Sequence, residues 1–214
     1  MKLHDVKQGT KAWLRLRLGV VTASMAHTIV TPSRLSAGKA DAYLNTLLVE
    51  MLLGKPADET SSGWMDRGTD LEPKARAWLA AELDVDVDEV GFITSDCGRF
   101  GCSPDGVIAE AVGVEIKCRS AVKHVACLRD PEAFDAEVRM QTQFGLWVTG
   151  WPKWLGVAFN PVLPNLLREY EPDPDVQAAL DEHMPAFRDR LDSELARLRA
   201  MLPEPDDTNP FDWD

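Results

Sequence analysis

The chain has 214 residues, 45% of them hydrophobic and 27% charged, with a formal net charge of -12. These values describe a globular domain with one sizeable core, and the length favours one domain over two. No window approaches the roughly 18 consecutive apolar residues of a membrane span, and residues 1–10 lack the basic start and apolar run of a signal peptide, so the sequence favours a cytoplasmic protein that does not enter the membrane.

Helical patterns dominate the first third of the chain. Thr10 can cap a helix that Gly19 would end, and a longer apolar repeat at spacings of three and four stops at Gly54. Pro73 fits the first turn of a further helix or a kink. The predicted helices of this part cover residues 10–18, 23–30, 38–53 and about 72–83.

Short strands broken by Gly and Pro follow, as in a β-meander, and helical patterns then return. The strands are predicted over residues 90–94, 99–102, 106–109, 112–118, 154–159 and 166–170, and the helices over 120–128, 135–148 and 175–201. This order of elements predicts an α+β (mixed α/β) domain in which helices flank a central mixed sheet, mostly a meander.

We expect residues 1–202 to form a single domain. It would comprise a basic, helical N-terminal part over 1–57, a core over 58–170 and a C-terminal helix over 175–201. The acidic, proline-containing segment 203–214 is predicted to be a disordered tail.

The charge is unevenly distributed along the chain. Residues 1–57 carry a net charge of +5, residues 58–169 carry -8 and residues 170–214 carry -9. Although the overall charge argues against a polyanionic partner, charge acts locally. A nucleic-acid surface, if there is one, should therefore begin in the N-terminal part.

The four cysteines, Cys97, Cys102, Cys118 and Cys127, contain no CxxC pair. This spacing favours reduced thiols in a cytosolic protein over disulfides or a metal cluster.

The candidate catalytic residues lie in two short segments. The first is Ser103 to Gly106, and the second, which follows after eight residues, is Glu115, Ile116 and Lys117. In a strand, Glu115 and Lys117 share one face. If a hairpin brings Asp105 against that strand, two carboxylates and a lysine converge, as metal-assisted phosphodiester hydrolysis requires. Taken singly, Asp105 also fits a type I turn, and Glu115 with Lys117 also fits a solvated strand face.

These residues resemble the PD-(D/E)xK nuclease signature, and the wider pattern resembles the family of phage lambda exonuclease and the YqaJ-like viral recombinases. The matching motifs lie in order between residues 13 and 149, about two thirds of the chain. They are Trp13 with Leu16 to Ser24, Gly68 with Glu72, Cys102 to Gly106, Gly113 to Cys118, and Gln141 to Phe144 with Trp147 to Thr149.

The resemblance implies a restriction-endonuclease-like core and a Mg²⁺-dependent 5′-to-3′ double-strand DNA exonuclease. Such an enzyme degrades one strand processively, releases 5′-mononucleotides and leaves 3′ single strands for recombination, and Mn²⁺ would substitute for Mg²⁺. The family pattern also implies a ring-shaped homotrimer, a single-strand annealing partner protein, and a phage or prophage gene expressed in a bacterial host.

The resemblance also assigns roles at the metal site. It makes Asp105, Glu115 and the Ile116 main-chain carbonyl metal ligands. Lys117 would be the catalytic lysine beside the attacking water. Glu72 would be a further acidic residue that holds a second ion or positions water.

Further roles concern DNA. Gln141 matches an active-site glutamine, while Arg17, Ser24 and Ser103 match a pocket for the 5′-phosphate. Arg34, in a predicted loop, would reach toward the DNA end. Without the resemblance, Arg17 would be read as a charge that complements a helix end, and Arg34 as an ordinary exposed arginine.

Three alternatives stay open. An iron–sulfur RecB-like exonuclease of the same superfamily would be coloured, and a restriction-type endonuclease would cut closed circular DNA. A non-catalytic DNA-binding module would bind DNA without Mg²⁺-dependent products.

Overall fold

The structure, a computed structural model, describes the backbone of residues 1–31, 34–35, 37–57 and 63–202, and the side chains of residues 1–30, 39–57 and 71–202. The described α-helices are α1 (Lys11–Arg17), α2 (Ala37–Leu53), α3 (Gly63–Leu83), α4 (Ala121–Arg129), α5 (Pro131–Thr149) and α6 (Pro174–Arg199). A 3-10 helix spans Ala23–Thr28. The strands are β1 (Lys2–His4), β2 (Val21–Thr22), β3 (Val30–Thr31), β4 (Arg34–Leu35), β5 (Phe92–Thr94), β6 (Phe100–Cys102), β7 (Gly106–Ile108), β8 (Val112–Cys118), β9 (Lys153–Phe159) and β10 (Leu166–Tyr170).

The predicted start and stop signals of the first helices are confirmed. The Thr10 hydroxyl accepts a hydrogen bond from the Trp13 amide at 3.3 Å and caps α1. Gly19 and Gly54, which follow α1 and α2, both adopt positive φ, a conformation that glycine reaches without steric cost.

The predicted α+β class is confirmed, and the strands divide between two four-stranded sheets and a small hairpin. The first sheet has the order β1-β5-β6-β2, with β2 parallel to β6, and the second has the order β10-β9-β8-β7, with β8 parallel to β9. The hairpin pairs β3 with β4. Of the predicted meander, the antiparallel pairs β5-β6 and β7-β8 are present, and they belong to different sheets.

Two predicted helices differ in detail. The short helix over 23–30 is a 3-10 helix that ends at Thr28 and leads into β3. Helix α3 begins at Gly63, so Pro73 lies inside it rather than in its first turn.

Helix α5 lies between the two sheets and contacts both. Its apolar side includes Phe144, which is fully buried and packs near Phe100 and Trp147. On the other side of the second sheet, Ala75 and Leu79 of α3 pack against β8 and β9. Strand β8 is therefore covered by α5 on one face and by α3 on the other.

No described helix has the length and apolar character needed to cross a membrane. The predicted tail, residues 203–214, lies outside the described residues.

Candidate active site

Three hydrogen-bonded side chains meet between β8 and α5: Glu115 and Lys117 of β8 and Gln141 of α5. Glu115 is 3% exposed, and its Oε1 lies 2.7 Å from Lys117 Nζ. Gln141 of α5 donates from Nε2 to Glu115 Oε2 at 2.7 Å and accepts from Lys117 Nζ through Oε1 at 3.3 Å. The predicted pairing of Glu115 with Lys117 on one strand face is present, and Gln141 fixes both side chains.

Asp105 reaches the same site from the edge of the sheet. Strand β7 pairs with β8 only as far as Gly106 opposite Val114. Beyond that point the Asp105 amide donates to the Val114 carbonyl at 2.8 Å, and the Asp105 carboxylate accepts from the Ile116 amide at 2.6 Å. The Asp105 side chain thus continues the ladder that β7 leaves unfinished.

This arrangement places the Ile116 carbonyl on the same edge. Residues two apart in a strand direct their main-chain groups to the same side, and both Val114 and Ile116 bond to Asp105. The carboxylate of Asp105 and the carbonyl of Ile116 therefore share the open edge of β8.

Arg76 is a site residue that the sequence reasoning missed. Its Nη1 donates to the Asp105 carbonyl at 2.9 Å and lies 3.9 Å from Glu72 Oε2, while Nη2 pairs with Glu89 at 3.0 Å. The available signal was the spacing of four residues between Glu72 and Arg76 on one helix, which places them on the same face.

The site concentrates negative charge in a poorly solvated place. Burial raises the pKa of Asp105 well above its ordinary value, and the carboxylates of Glu115 and Glu72 raise it further. Burial also raises the pKa of Glu115, against the effect of Lys117. For Lys117, burial alone would lower the pKa, but Glu115 and Asp105 outweigh it and leave the pKa raised. The ammonium is thus kept charged beside two carboxylates that repel each other.

These donors suit a hard divalent cation. Within the described part of the chain, no three His, Cys, Asp or Glu side chains come together as a metal site. Mg²⁺, however, needs only one or two carboxylates, and waters and other oxygens complete its octahedron. Asp105, Glu115 and the Ile116 carbonyl could supply that set. Glu72, which lies 3.9 Å from Arg76, adds a negative charge that acts on both Asp105 and Glu115.

A second constellation surrounds the end of α1. The Arg17 guanidinium lies 4.1 Å from the Trp13 ring centroid and donates to Ser103 Oγ at 3.4 Å. Trp13 Nε1 also donates to Ser103 Oγ, at 3.0 Å. Burial lowers the pKa of Arg17, and Tyr43 and Glu50 counteract this. The structure therefore joins Arg17 to Ser103 and adds Trp13, which orients both.

Ser24 lies in the 3-10 helix Ala23–Thr28, directly after β2. Strand β2 pairs in parallel with β6, Thr22 opposite Gly101, and this register does not extend to Ser24. Ser24 is exposed, and its hydroxyl lies 3.4 Å from Thr22 Oγ1. The side chain of Arg34 lies outside the described part of the chain, although its backbone belongs to β4.

The neighbouring glutamine of α5 has a different environment. Gln143 is buried, donates to the Glu171 carbonyl at 2.7 Å, and accepts from the Asp173 amide at 2.8 Å and from Gln177 at 2.9 Å. It ties the segment before α6 to α5, whereas Gln141 faces the carboxylates.

All four cysteines are free thiols. Cys102 is buried, and burial together with Glu115 raises its pKa. Burial, Glu72 and Asp105 raise the pKa of Cys118 to about 12. Both thiols beside the site are thus held in the protonated form, in which cysteine is a poor metal ligand and nucleophile.

Comparison with known proteins places this geometry in context. The family model for the YqaJ-like viral recombinase domain matches residues 12–152. An alkaline exonuclease (LHK-Exo) from Laribacter hongkongensis superposes with a TM-score of 0.78 at 29% identity, covering 90% of this chain and 97% of that one. Its complex with dAMP gives 0.75 at 30% identity with the same coverage.

A phage-related exonuclease from Haemophilus somnus 129PT has a TM-score of 0.64 at 14% identity, with 84% of this chain and 96% of that chain covered. At that identity the likeness concerns the fold. No curated protein matches the chain significantly.

Proposed function

The chain belongs to the YqaJ-like viral recombinase family, and from this premise we propose that it is a Mg²⁺-dependent 5′-to-3′ exonuclease of double-stranded DNA. Membership of this family and the alkaline exonuclease relatives support a nuclease. The observation that carries the finer proposal is the hydrogen-bonded cluster of Glu115, Lys117 and Gln141 on one face of β8, next to Asp105 on the open edge of that strand.

Asp105, Glu115 and the Ile116 carbonyl would hold the metal ion. When bound, Mg²⁺ would polarise the scissile phosphate and lower the pKa of a water molecule, and Mn²⁺ would substitute for it.

The other residues act through position and charge. The Lys117 ammonium, held by Glu115 and Gln141, orients the attacking water and stabilises the negative charge that develops on the phosphate. Gln141 fixes the direction of both side chains. Glu72, held by Arg76, faces the same region and positions water or a second ion.

The direction of digestion would come from the second constellation. A guanidinium and hydroxyl groups are directional donors for a terminal phosphate, and Arg17, Ser103 and Ser24 would supply them. Arg34 would contact the DNA near its end.

Several wider features belong to the same proposal. Residues 1–202 would form one nuclease domain that assembles as a homotrimer, acts in the cytoplasm of a bacterial host from a phage or prophage gene, and hands its 3′ single strands to an annealing protein. Since Arg17 and Ser24 of the proposed phosphate pocket belong to the basic N-terminal part, an overall charge of -12 is compatible with binding DNA locally.

Digestion of linear duplex DNA tests the proposal. Duplexes with 5′-phosphate or 5′-hydroxyl ends and a closed circle are incubated with Mg²⁺ or EDTA, using wild-type protein, Lys117→Ala and the exposed-lysine control Lys2→Ala. We expect Mg²⁺-dependent loss of one strand from phosphorylated ends with release of mononucleotides, retained in Lys2→Ala and reduced at least about 100-fold in Lys117→Ala.

Cleavage of the circle would instead indicate an endonuclease. DNA binding without products would indicate a non-catalytic module. Either result would overturn the exonuclease assignment.

A further inference from the structure

The chain segment that carries Arg17 leaves α1 through a tight turn. The Val20 amide donates to the Arg17 carbonyl at 3.1 Å, Leu18 has φ -59° and ψ 124°, and Gly19 has φ +67°. These are the angles of a type II β-turn with Arg17 in first place and glycine in the third, where positive φ is required. The direction in which α1 presents Arg17 therefore depends on this turn.

Glu50 of α2 holds the central peptide of the turn. Its Oε2 accepts from the Gly19 amide at 3.0 Å. Type I and type II turns differ by a flip of the peptide between the second and third residues, which is the peptide that contributes this N–H. The hydrogen bond from Gly19 to Glu50 thus selects one turn and disfavours the other.

Two further residues of α2, Met51 and Tyr43, contact the turn and the chain that follows it. A Cβ at Gly19 would lie 2.2 Å from Met51 Cγ, so the turn packs directly on the residue after Glu50. One face of α2 also carries Tyr43, whose hydroxyl accepts from the Thr22 amide at 3.2 Å and donates to the Val20 carbonyl at 3.4 Å. Helix α2 therefore fixes the whole connection from the turn to β2.

Glu50 and Arg17 line the same cavity of about 280 Å³, together with Trp13, Thr22, Tyr43 and Thr46. The charges of the two groups act on each other across it: burial raises the pKa of Glu50, and Arg17 opposes that rise. A carboxylate inside a cavity that borders a phosphate pocket weakens the attraction for phosphate, so Glu50 does not serve phosphate binding directly. Its hydrogen bonds are to main-chain amides, that of Gly19 in the turn and that of Ala57.

We propose that Glu50 is a positioning residue for 5′-end selection: by locking the central peptide of the turn from Arg17 to Val20, it aims the Arg17 guanidinium at the terminal phosphate. This inference rests on the proposed function, because it concerns the same phosphate pocket. Glu50 itself does not touch the DNA.

The test compares Glu50→Ala, Glu50→Gln and the control Thr46→Ala, which alters the same cavity without touching the turn. For each protein, kcat/KM is measured on duplexes of one sequence with a 5′-phosphate or a 5′-hydroxyl end. Glu50→Ala removes the acceptor of the Gly19 amide and also that of the Ala57 amide. We expect it to lower the phosphate-to-hydroxyl ratio about tenfold, chiefly through KM on phosphorylated ends, because the bond to Gly19 is the one that holds the turn.

Glu50→Gln keeps an oxygen acceptor for the Gly19 amide and removes the charge that opposes phosphate, so the ratio should be retained or rise. Thr46→Ala should leave the ratio unchanged. If Glu50→Ala does not fold, Glu50→Asp replaces it, because a side chain one methylene shorter withdraws the acceptor. A merely structural role would lower kcat/KM on both ends in equal proportion and leave the ratio unchanged.

The outcomes separate the two ideas. A wild-type protein that prefers phosphorylated ends together with a Glu50→Ala variant that keeps the full preference would overturn this inference alone. A wild-type protein without any preference, or without metal-dependent cleavage, would overturn the phosphate pocket or the proposed function themselves.

Discussion

Replacing Asp105 by asparagine should separate what this side chain does for the fold from what it does for the metal. The asparagine Oδ1 can still accept from the Ile116 amide, now 2.6 Å from the carboxylate, and the main-chain bond from Asp105 to Val114 is untouched. Only the charge is lost. Because Glu115 and Glu72 repel that charge in a buried place, we expect Asp105→Asn to stabilise the metal-free protein.

The sign of the pH dependence follows from the raised pKa. An acid that holds its proton more tightly in the folded state destabilises the fold once the pH exceeds its ordinary pKa, here 3.8. The advantage of Asp105→Asn should therefore be present at pH 8 and shrink as the pH falls through the raised pKa toward 4. Removing this charge repulsion should raise the free energy of unfolding by about 0.5 to 2 kcal/mol. For a domain of this size, that corresponds to a rise in Tm of about 1 to 8 °C.

In saturating Mg²⁺ we expect the opposite order of melting temperatures, with wild type above Asp105→Asn. A ligand at 100 times its Kd stabilises the folded state by about 2.7 kcal/mol, and the variant loses a ligand for it. Thermal unfolding is followed by circular dichroism in EDTA and in saturating Mg²⁺, with the exposed Asp86→Asn as control. The reasoning fails if Asp105→Asn melts below wild type in EDTA, or if Mg²⁺ raises the Tm of both proteins equally.

The two glutamines of α5 form a matched pair. Gln141→Ala should lower the single-turnover cleavage rate about 100-fold, since Gln141 orients the reacting groups. Gln143→Ala should lower the free energy of unfolding by about 1 to 3 kcal/mol because it leaves buried polar groups unpaired. Equal losses of cleavage rate in both variants would contradict the assignment of a catalytic role to Gln141 and a structural role to Gln143. Gly145→Ala should destabilise the fold by about 1 to 3 kcal/mol in denaturant unfolding, because its Cβ would lie 2.5 Å from Trp154, and an unchanged midpoint would refute that packing argument.

The fold was predictable where local patterns are strong. Strand β8 has the predicted bounds, Val112–Cys118, because its apolar and charged residues alternate between two covered faces. The division into two sheets was not predictable, since it depends on which strands pair. Strand β2 has only two residues, Val21 and Thr22, and pairs with Phe100 and Gly101, a contact that no local pattern reports.

The candidate site was likewise predictable only where local sequence patterns determine it. Alternation along β8 places Glu115 beside Lys117, and the structure has them 2.7 Å apart. The sequence alone could not show that the Asp105 carboxylate completes a strand ladder, because that depends on where β7 stops pairing. It could not separate Gln141 from Gln143 by spacing either, because the two differ in which neighbour the helix face meets, and Arg76 escaped notice because it acts through the Asp105 main chain.

One short segment connects the proposed phosphate pocket to the proposed metal site. Ser103 contacts Arg17 and Asp105 bonds to β8, and only Pro104 separates them. Two residues span at most about 7 Å between Cα atoms, so the backbone of Ser103, beside the proposed phosphate pocket, is close to that of Asp105, at the proposed metal site. Gln8 also donates to the Pro104 carbonyl at 2.9 Å and fixes this spacing. In the proposed function, this short link would bring the terminal phosphate to its pocket as the next phosphodiester reaches Lys117, which is what release of one nucleotide at a time requires.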